Sequence, residues 1–145
     1  MAYCTQSDLE LRIGVEQLAM LTNDTAGTAM ADPTVITALI SRSDTLIDAL
    51  MTGVYVTPFV STPKIIKQCS IDMTIYSAFL RRFASTEVPK EWIAANKQAM
   101  EFLDLIANLE LQLDSDPAVT SGEADFVAPD KLIDFTDSNN AASDY

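Results

Sequence analysis

The sequence predicts an all-α protein: a small bundle of about four helices, two or three of them long, with an extended inter-helix loop and an extended acidic C-terminal tail. Three observations carry this. Apolar residues recur at helical spacing over two stretches of about five turns each, near 33–52 and 64–83. Asp-Pro at 32–33 and Thr-Pro at 62–63 open those stretches, while Gly14 and Gly53 supply stops. The charge then shifts along the chain: eight acids against one lysine fall from Asp114 onward, a net of −7 out of −12.

The elements follow in order. "SDLE" at 7–10 has capping-box spacing, with Ser7 as N-cap and Glu10 reaching back. That helix stops at Gly14, and "VEQLAML" (15–21) makes a second short helix or turn. "TNDTAGTAMAD" is a loop rich in turn formers. Asp32 caps the first long helix, with Pro33 at its first position. Its stripe is Val35, Ile36, Leu39, Ile40, Leu46, Ile47, Leu50 and Met51, with Ser43 filling the gap.

After "TGVYVTPFVSTPKII" (52–66), Ile65, Ile66, Cys69, Met73, Tyr76, Phe79, Leu80 and Phe83 form the second stripe. Arg81 and Arg82 suit its C-terminal dipole. The last helix runs from near Pro89 to about Glu110, with Trp92, Ala99, Leu103, Ile106 and Ala107 inward. "ELQL" (110–113) is an apolar coda and a candidate strand. Leu39, Leu46, Tyr76, Phe79 and Leu103 are expected to be buried between the long helices. The domain division is 1–113, helical, and 114–145, the acidic tail.

Composition removes most chemistry. The chain has no histidine, so the commonest general base and zinc ligand are missing, with every Ser-His or Cys-His pair. No GxSxG, CxxC, HExxH or phosphate-cradling loop is present. The reading is of a protein that is not an enzyme, with no catalytic residue, cofactor or metal. With 21 acids to nine lysines and arginines, the isolated domain is not drawn to phosphate backbones. No apolar run reaches the roughly 20 residues of a membrane span, and "MAYCTQSDLE" lacks the features of a secretory signal. The chain is expected to stay where it is made and to meet no membrane.

Individual polar residues have bland readings. Cys69 is a small buried hydrophobe. Asp72 is an inter-helix partner for Arg42 or Arg81, or a solvated edge residue, rather than a metal ligand. Asp44 and Asp48, at i and i+4, form a solvated face, since like charges there repel. Lys64, Lys67, Arg81 and Arg82 pair with surface acids.

What stands out is a proline-bounded apolar loop and an acidic tail with apolar islands, both suited to touching other proteins. The candidate partner-binding residues are therefore Tyr55, Pro58 and Phe59 in the loop, and Phe126, Val127, Leu132, Ile133 and Phe135 in the tail. Composition predicts a tail that is mobile in the free protein and ordered against a neighbouring subunit or other partner.

Over residues 3–110 the chain resembles the head–tail connector proteins of tailed phages, of the Mu-like prophage type. The family start "Y-x-T-x-x-D-L-x-x-R-x-G" is matched by Tyr3, Thr5, Asp8, Leu9, Arg12 and Gly14. Its "I-D-x-x-L-x-x-x-Y-x-x-P" landmark is matched by Ile47, Asp48, Met51 (where leucine is usual), Tyr55 and Pro58. A "D-x-x-x-Y" core is matched by Asp72 and Tyr76. Val54 stands where an arginine is common.

The resemblance implies a structural virion protein in the neck, made in the host cytoplasm. It forms a ring homo-oligomer, commonly dodecameric, under the portal protein and offers a surface to the stopper or tail-terminator protein. DNA passes nearby without specific binding. A competing class is a small acidic helical regulator, a DNA-mimic-like inhibitor of a host or phage protein. That reading needs carboxylates spaced along helix faces.

Overall fold

A Thr–Asp exchange begins the first helix. In the computed structural model, which describes residues 1–25 and 27–114, Thr5 rather than Ser7 is the N-cap of α1 (Gln6–Ile13). The Asp8 amide donates to Thr5 Oγ1 at 3.3 Å, and Asp8 Oδ2 accepts from the Thr5 amide at 2.8 Å. Two overlapping boxes compete in "TQSDLE", and the burial of Tyr3 and Cys4 just before Thr5 selects the earlier one. Gly14, at φ 89°, ends α1 and opens α2 (Val15–Thr22). Only glycine takes that φ without strain.

Thr22 staples the loop that follows. Its hydroxyl donates to Leu18 O at 2.8 Å and accepts from the Asp32 amide at 3.1 Å. Asp32 caps α3 (Pro33–Met51), accepting from the amides of Thr34 and Val35. α4 spans Lys64–Arg82, and here Pro63 itself is the N-cap, so Thr62 plays no capping part. A single 3-10 turn (Ser85–Glu87) leads to α5 (Lys90–Ala107).

The coda is not a strand. Glu110 N and Leu111 N both donate to Leu105 O, at 2.9 and 3.1 Å, after Leu109 has taken a φ of 61°. Leu111 and Leu113 fold back as partly buried apolar cover. The described residues contain two short and three long α-helices and no strand.

α4 is the central element, packing on α1, α2, α3 and α5. It buries residues around most of its circumference, from Ile66 to Phe79. The core divides in two. One cluster joins Leu9, Leu18, Leu21, Ile36, Ile75 and Phe79 with Trp92. The other gathers Tyr3, Ile47, Met51, Ile66 and Leu103 around Tyr55 and Phe59.

Leu39, Phe79 and Leu103 are buried as expected, and Tyr76 is half-buried. Leu46 is not buried; it is 43% exposed. The inward stripe of α3 is Ile36, Leu39, Ile40, Ser43, Asp44, Ile47 and Met51. Leu46 lies about 100° round the helix from Ile47, at 3.6 residues per turn. Ser43 fills its gap in the stripe as expected, and Asp44 rather than Leu46 is the inward residue beside Ile47; Ser43 and Asp44 are the two polar residues of the stripe.

Candidate functional site

Those two polar residues belong to a buried seam between α3 and α4. Ser70 Oγ donates to Asp44 Oδ1 at 2.7 Å and lies 3.3 Å from Cys4 Sγ. The Thr74 hydroxyl donates to Ser43 Oγ at 3.1 Å. All five side chains are buried. Asp44 Oδ2 also accepts from the Tyr3 amide at 2.9 Å. Burial pushes the Asp44 carboxyl above its usual range, against the opposing pull of the Ser70 and Tyr3 hydrogen bonds.

Tyr3 is the peg of this clasp. Its hydroxyl donates to Asp48 Oδ1 and accepts from the Phe59 amide at 3.2 Å. Its ring sits 5.7 Å from that of Phe59, which in turn is 6.0 Å from Tyr55. Burial, then the hydrogen bond to Asp48, raises the phenol well above its ordinary pKa. One side chain near the chain start thus ties α3 to the proline-bounded loop.

α1 adds two further ties to α4. Lys67 Nζ lies 2.9 Å from Asp8 Oδ1. Partial burial works against the Asp8 carboxylate, but Lys67 and Thr5 outweigh it and hold its pKa low. Arg12 Nε meets Asp72 Oδ1 at 3.5 Å, while its guanidinium carbon lies 5.2 Å from the Trp92 ring centre. Gln68 Nε2 donates to both Asp72 oxygens at 3.2 Å. At the far end of α4, Arg81 and Arg82 both reach Asp24, at 2.7 and 3.4 Å. Arg81 also donates to Leu21 O, holding the α2–α3 loop.

Three sequence expectations are corrected here. Lys67, Arg81 and Arg82 pair with surface acids, but among the described residues Lys64 has no carboxylate partner. Asp72 pairs with Arg12, not with Arg42 or Arg81. Asp44 and Asp48 are not a solvated face: Asp44 is buried, Asp48 is half-buried, and both receive hydrogen bonds from Tyr3. Repulsion at i, i+4 is offset by those donors. Sequence reasoning missed Tyr3 as an anchor and Arg12 as a bridge. Their signal was indirect, since both are landmark positions of the resemblance.

The loop residues divide by face. Tyr55 and Phe59 are buried in the protein's own core, and Tyr55 Oη accepts from the Leu113 amide at 2.9 Å. Pro58 is exposed, with Val56 (59%) and Val60 (90%) beside it. The outward apolar surface of the loop is therefore Val56, Pro58 and Val60. Phe126, Val127, Leu132, Ile133 and Phe135 lie outside the described residues.

Chemically, the clasp holds elements together. Burial raises the Cys4 thiol, and it pushes Cys69 up to about 11, so neither is an activated nucleophile. Among the described residues, no three His, Cys, Asp or Glu side chains are placed to hold a metal ion. No described helix is long and apolar enough to cross a membrane.

The landmark residues of the resemblance thus meet in space: Tyr3 with Asp48, Thr5 with Asp8, and Arg12 with Asp72. They tie the start of the chain to α3 and α4. No curated protein matches the chain. A family model does match, over residues 3–128, and its description is bacteriophage Mu, Gp36. That span includes the clasp, all five helices and the start of the acidic tail, and the chain belongs to this bacteriophage Mu Gp36 family.

Proposed function

We propose that this protein is a structural component of the virion, a head-to-tail connector. In this reading it forms a ring, dodecameric by resemblance, beneath the portal protein, closes the DNA-filled head and presents a surface to the stopper or tail-terminator. It needs no catalysis, cofactor or metal. The observation that carries the reading is membership of a phage family over residues 3–128. The connector landmarks within that span supply the role.

Physical features support it. Three ties pin α1 and the residues before it to α3 and α4, so that little ordering remains to be done on side-by-side packing. The exposed Val56, Pro58 and Val60 offer a proline-stiffened contact. A net charge of −12 suits a wall past which DNA slides without sticking. In this reading the acidic segment from Asp114 onward is what docks on a neighbouring copy or on the portal.

The regulator reading is less favoured. Asp8, Asp24, Asp44, Asp48 and Asp72 are all engaged by the protein's own donors. They are not displayed as a row of phosphate-like charges.

The test is direct. Purified protein should bind isolated portal rings and appear by electron microscopy as an added ring of density. Heads assembled without it should leak DNA. Failure to bind portal, with tight capture of a host enzyme instead, would favour the regulator.

A further inference from the structure

Two exposed apolar features lie on opposite sides of α4. The first is an open groove walled by α3, α4 and α5. Its two lobes, of about 280 and 340 Å³, share Arg42, Ser77 and Leu80. Leu46 and Leu80, 43% and 38% exposed, stand on its walls, and Met73 and Met100 line it between them. Methionine repacks readily against a partner, which suits a surface that is covered on assembly. Among the described residues no carboxylate lines either lobe. The charged lining residues are Arg42 and Arg81, and Arg81 is held by Asp24. Lys64, Lys90 and Lys97 are as free of described carboxylate partners as Arg42, but of these four cations only Arg42 lines the groove.

The second feature is a knob on the outer side of α1 and α2. Leu11 is 87% exposed and lies two residues from the buried Leu9, about 160° round α1 at 3.6 residues per turn. Glu16 and Met20, both exposed, stand two residues either side of the buried Leu18 on α2. Val15, half exposed, links Leu11 to Glu16 across the turn at Gly14.

Knob and groove are back to back. Leu9, Leu18 and Leu21 pack in one cluster with Ile71 and Ile75 of α4. Those isoleucines lie two residues either side of Met73, again about 160° round the helix from it. The knob therefore looks away from α4 on one side while the groove opens on the other.

We propose that the knob of one molecule seats in the groove of a second copy, with Leu11 entering between Leu46 and Leu80 and Glu16 meeting Arg42. Charge selects this occupant. The proline-bounded loop is as exposed at Val60, but residues 52–66 carry no carboxylate to meet the groove's cation. Because the two features lie on opposite faces, the contact is heterologous. Each copy that fills a groove leaves its own groove open to the next, and such a series closes into a ring or runs on as a filament. The inference deepens the connector reading by naming the faces that meet round the ring, and it rests on that reading for closure.

Cross-linking of the full chain tests the contact without portal. A Leu11→Cys chain and a Leu80→Cys chain, mixed and treated with a short bis-maleimide, should give a cross-linked pair. Neither should do so alone, and the parent chain, whose Cys4 and Cys69 are buried, sets the background. Circular dichroism checks that each variant is folded, and Leu46→Cys replaces Leu80→Cys if the latter loses helicity. Arg42→Glu in the groove chain, or Glu16→Arg in the knob chain, should lower the yield about tenfold, and the two together should restore it. No cross-link above background in the mixture overturns the proposal. So do yields that neither charge reversal changes, and so does equal cross-linking of either single variant with itself, which makes the contact isologous. Leu109 also neighbours a carboxylate, Glu110; a Leu109→Cys chain that cross-links to Leu80→Cys in place of Leu11→Cys overturns the proposal too. Cross-linking without portal binding keeps the contact and ends the connector reading. Portal binding without cross-linking ends the contact alone.

Discussion

Tyr3→Phe isolates the peg of the clasp. The substitution keeps the ring and its contact with Phe59 at 5.7 Å, and removes one oxygen. That oxygen donates to Asp48 and accepts from the buried Phe59 amide at 3.2 Å. A hydrogen bond to a charged group contributes about 1.5–3 kcal/mol. Asp48 is half-buried and regains water, so roughly half of that is lost. The Phe59 N–H stays buried without a partner, which costs about 1–3 kcal/mol. The expected total is about 2–4 kcal/mol, or roughly 10 °C in Tm for a domain of this size. Urea unfolding followed by helical circular dichroism measures it, with the slope against denaturant unchanged. Combined with Asp48→Ala, the variant should show a coupling of about 1–2 kcal/mol. A loss below about 0.5 kcal/mol would mean that the hydroxyl ties nothing together.

Other outcomes follow from the same geometry. Leu103→Ala should cost about 2–5 kcal/mol as a core cavity, whereas Leu46→Ala should cost under about 1 kcal/mol; comparable losses would contradict the register of α3. Asp44→Ala strands two donors and should cost about 2–4 kcal/mol. Asp44→Asn keeps an acceptor, and a re-turned Ser70 hydroxyl can take the other place. The Asp44 carboxyl titrates above 3.8 when folded, so the native state binds the extra proton and this group's contribution falls as pH rises through that folded value. The stability of the parent chain relative to Asp44→Asn should therefore decline with rising pH above 3.8 and then level off; a rise would reverse the assignment. Cys4 and Cys69 are buried and their thiols are raised. At pH 8 both should resist a thiol reagent until urea unfolds the protein, and rapid labelling of the native state would contradict the burial.

The long helices were legible because their signals are local. Asp32-Pro33 and the apolar stripes of α3, α4 and α5 are set by backbone capping and 3.6-residue periodicity, which neighbouring residues alone determine. What was illegible depends on contacts 26 to 60 residues apart, such as Ser70 with Asp44 and Arg12 with Asp72. A pair of aspartates at i, i+4 reads as a solvated face unless the donors are known to arrive from residue 3. Leu46 illustrates the same limit: its hydrophobicity is real, but the inward slot beside it is held by Asp44 because Tyr3 and Ser70 satisfy that carboxylate. Thr5 and Ser7 were equal candidates for the cap until the burial of Tyr3 and Cys4 chose between them.

Most described aspartates before Asp114 are engaged by the fold and most glutamates are not, the exceptions being Asp104, which is exposed, and Glu10, which accepts from Gln6 Nε2 at 2.7 Å. Asp8, Asp24, Asp32, Asp44, Asp48 and Asp72 each accept a specific hydrogen bond: a cap, a cation or the Tyr3 clasp. Aspartate is suited to this, because its short stem loses little rotamer freedom when fixed. Glu16, Glu87, Glu91, Glu101 and Glu110 are all exposed. The outward negative field of the helical domain thus comes mainly from these glutamates and the exposed Asp104, four of the six lying on α5 or just beyond it. Engaged aspartates specify the fold, and the exposed carboxylates without partners set the long-range potential. A chain can therefore carry −12 while remaining folded, provided that the structural carboxylates meet donors and the rest are spread where water and salt screen them.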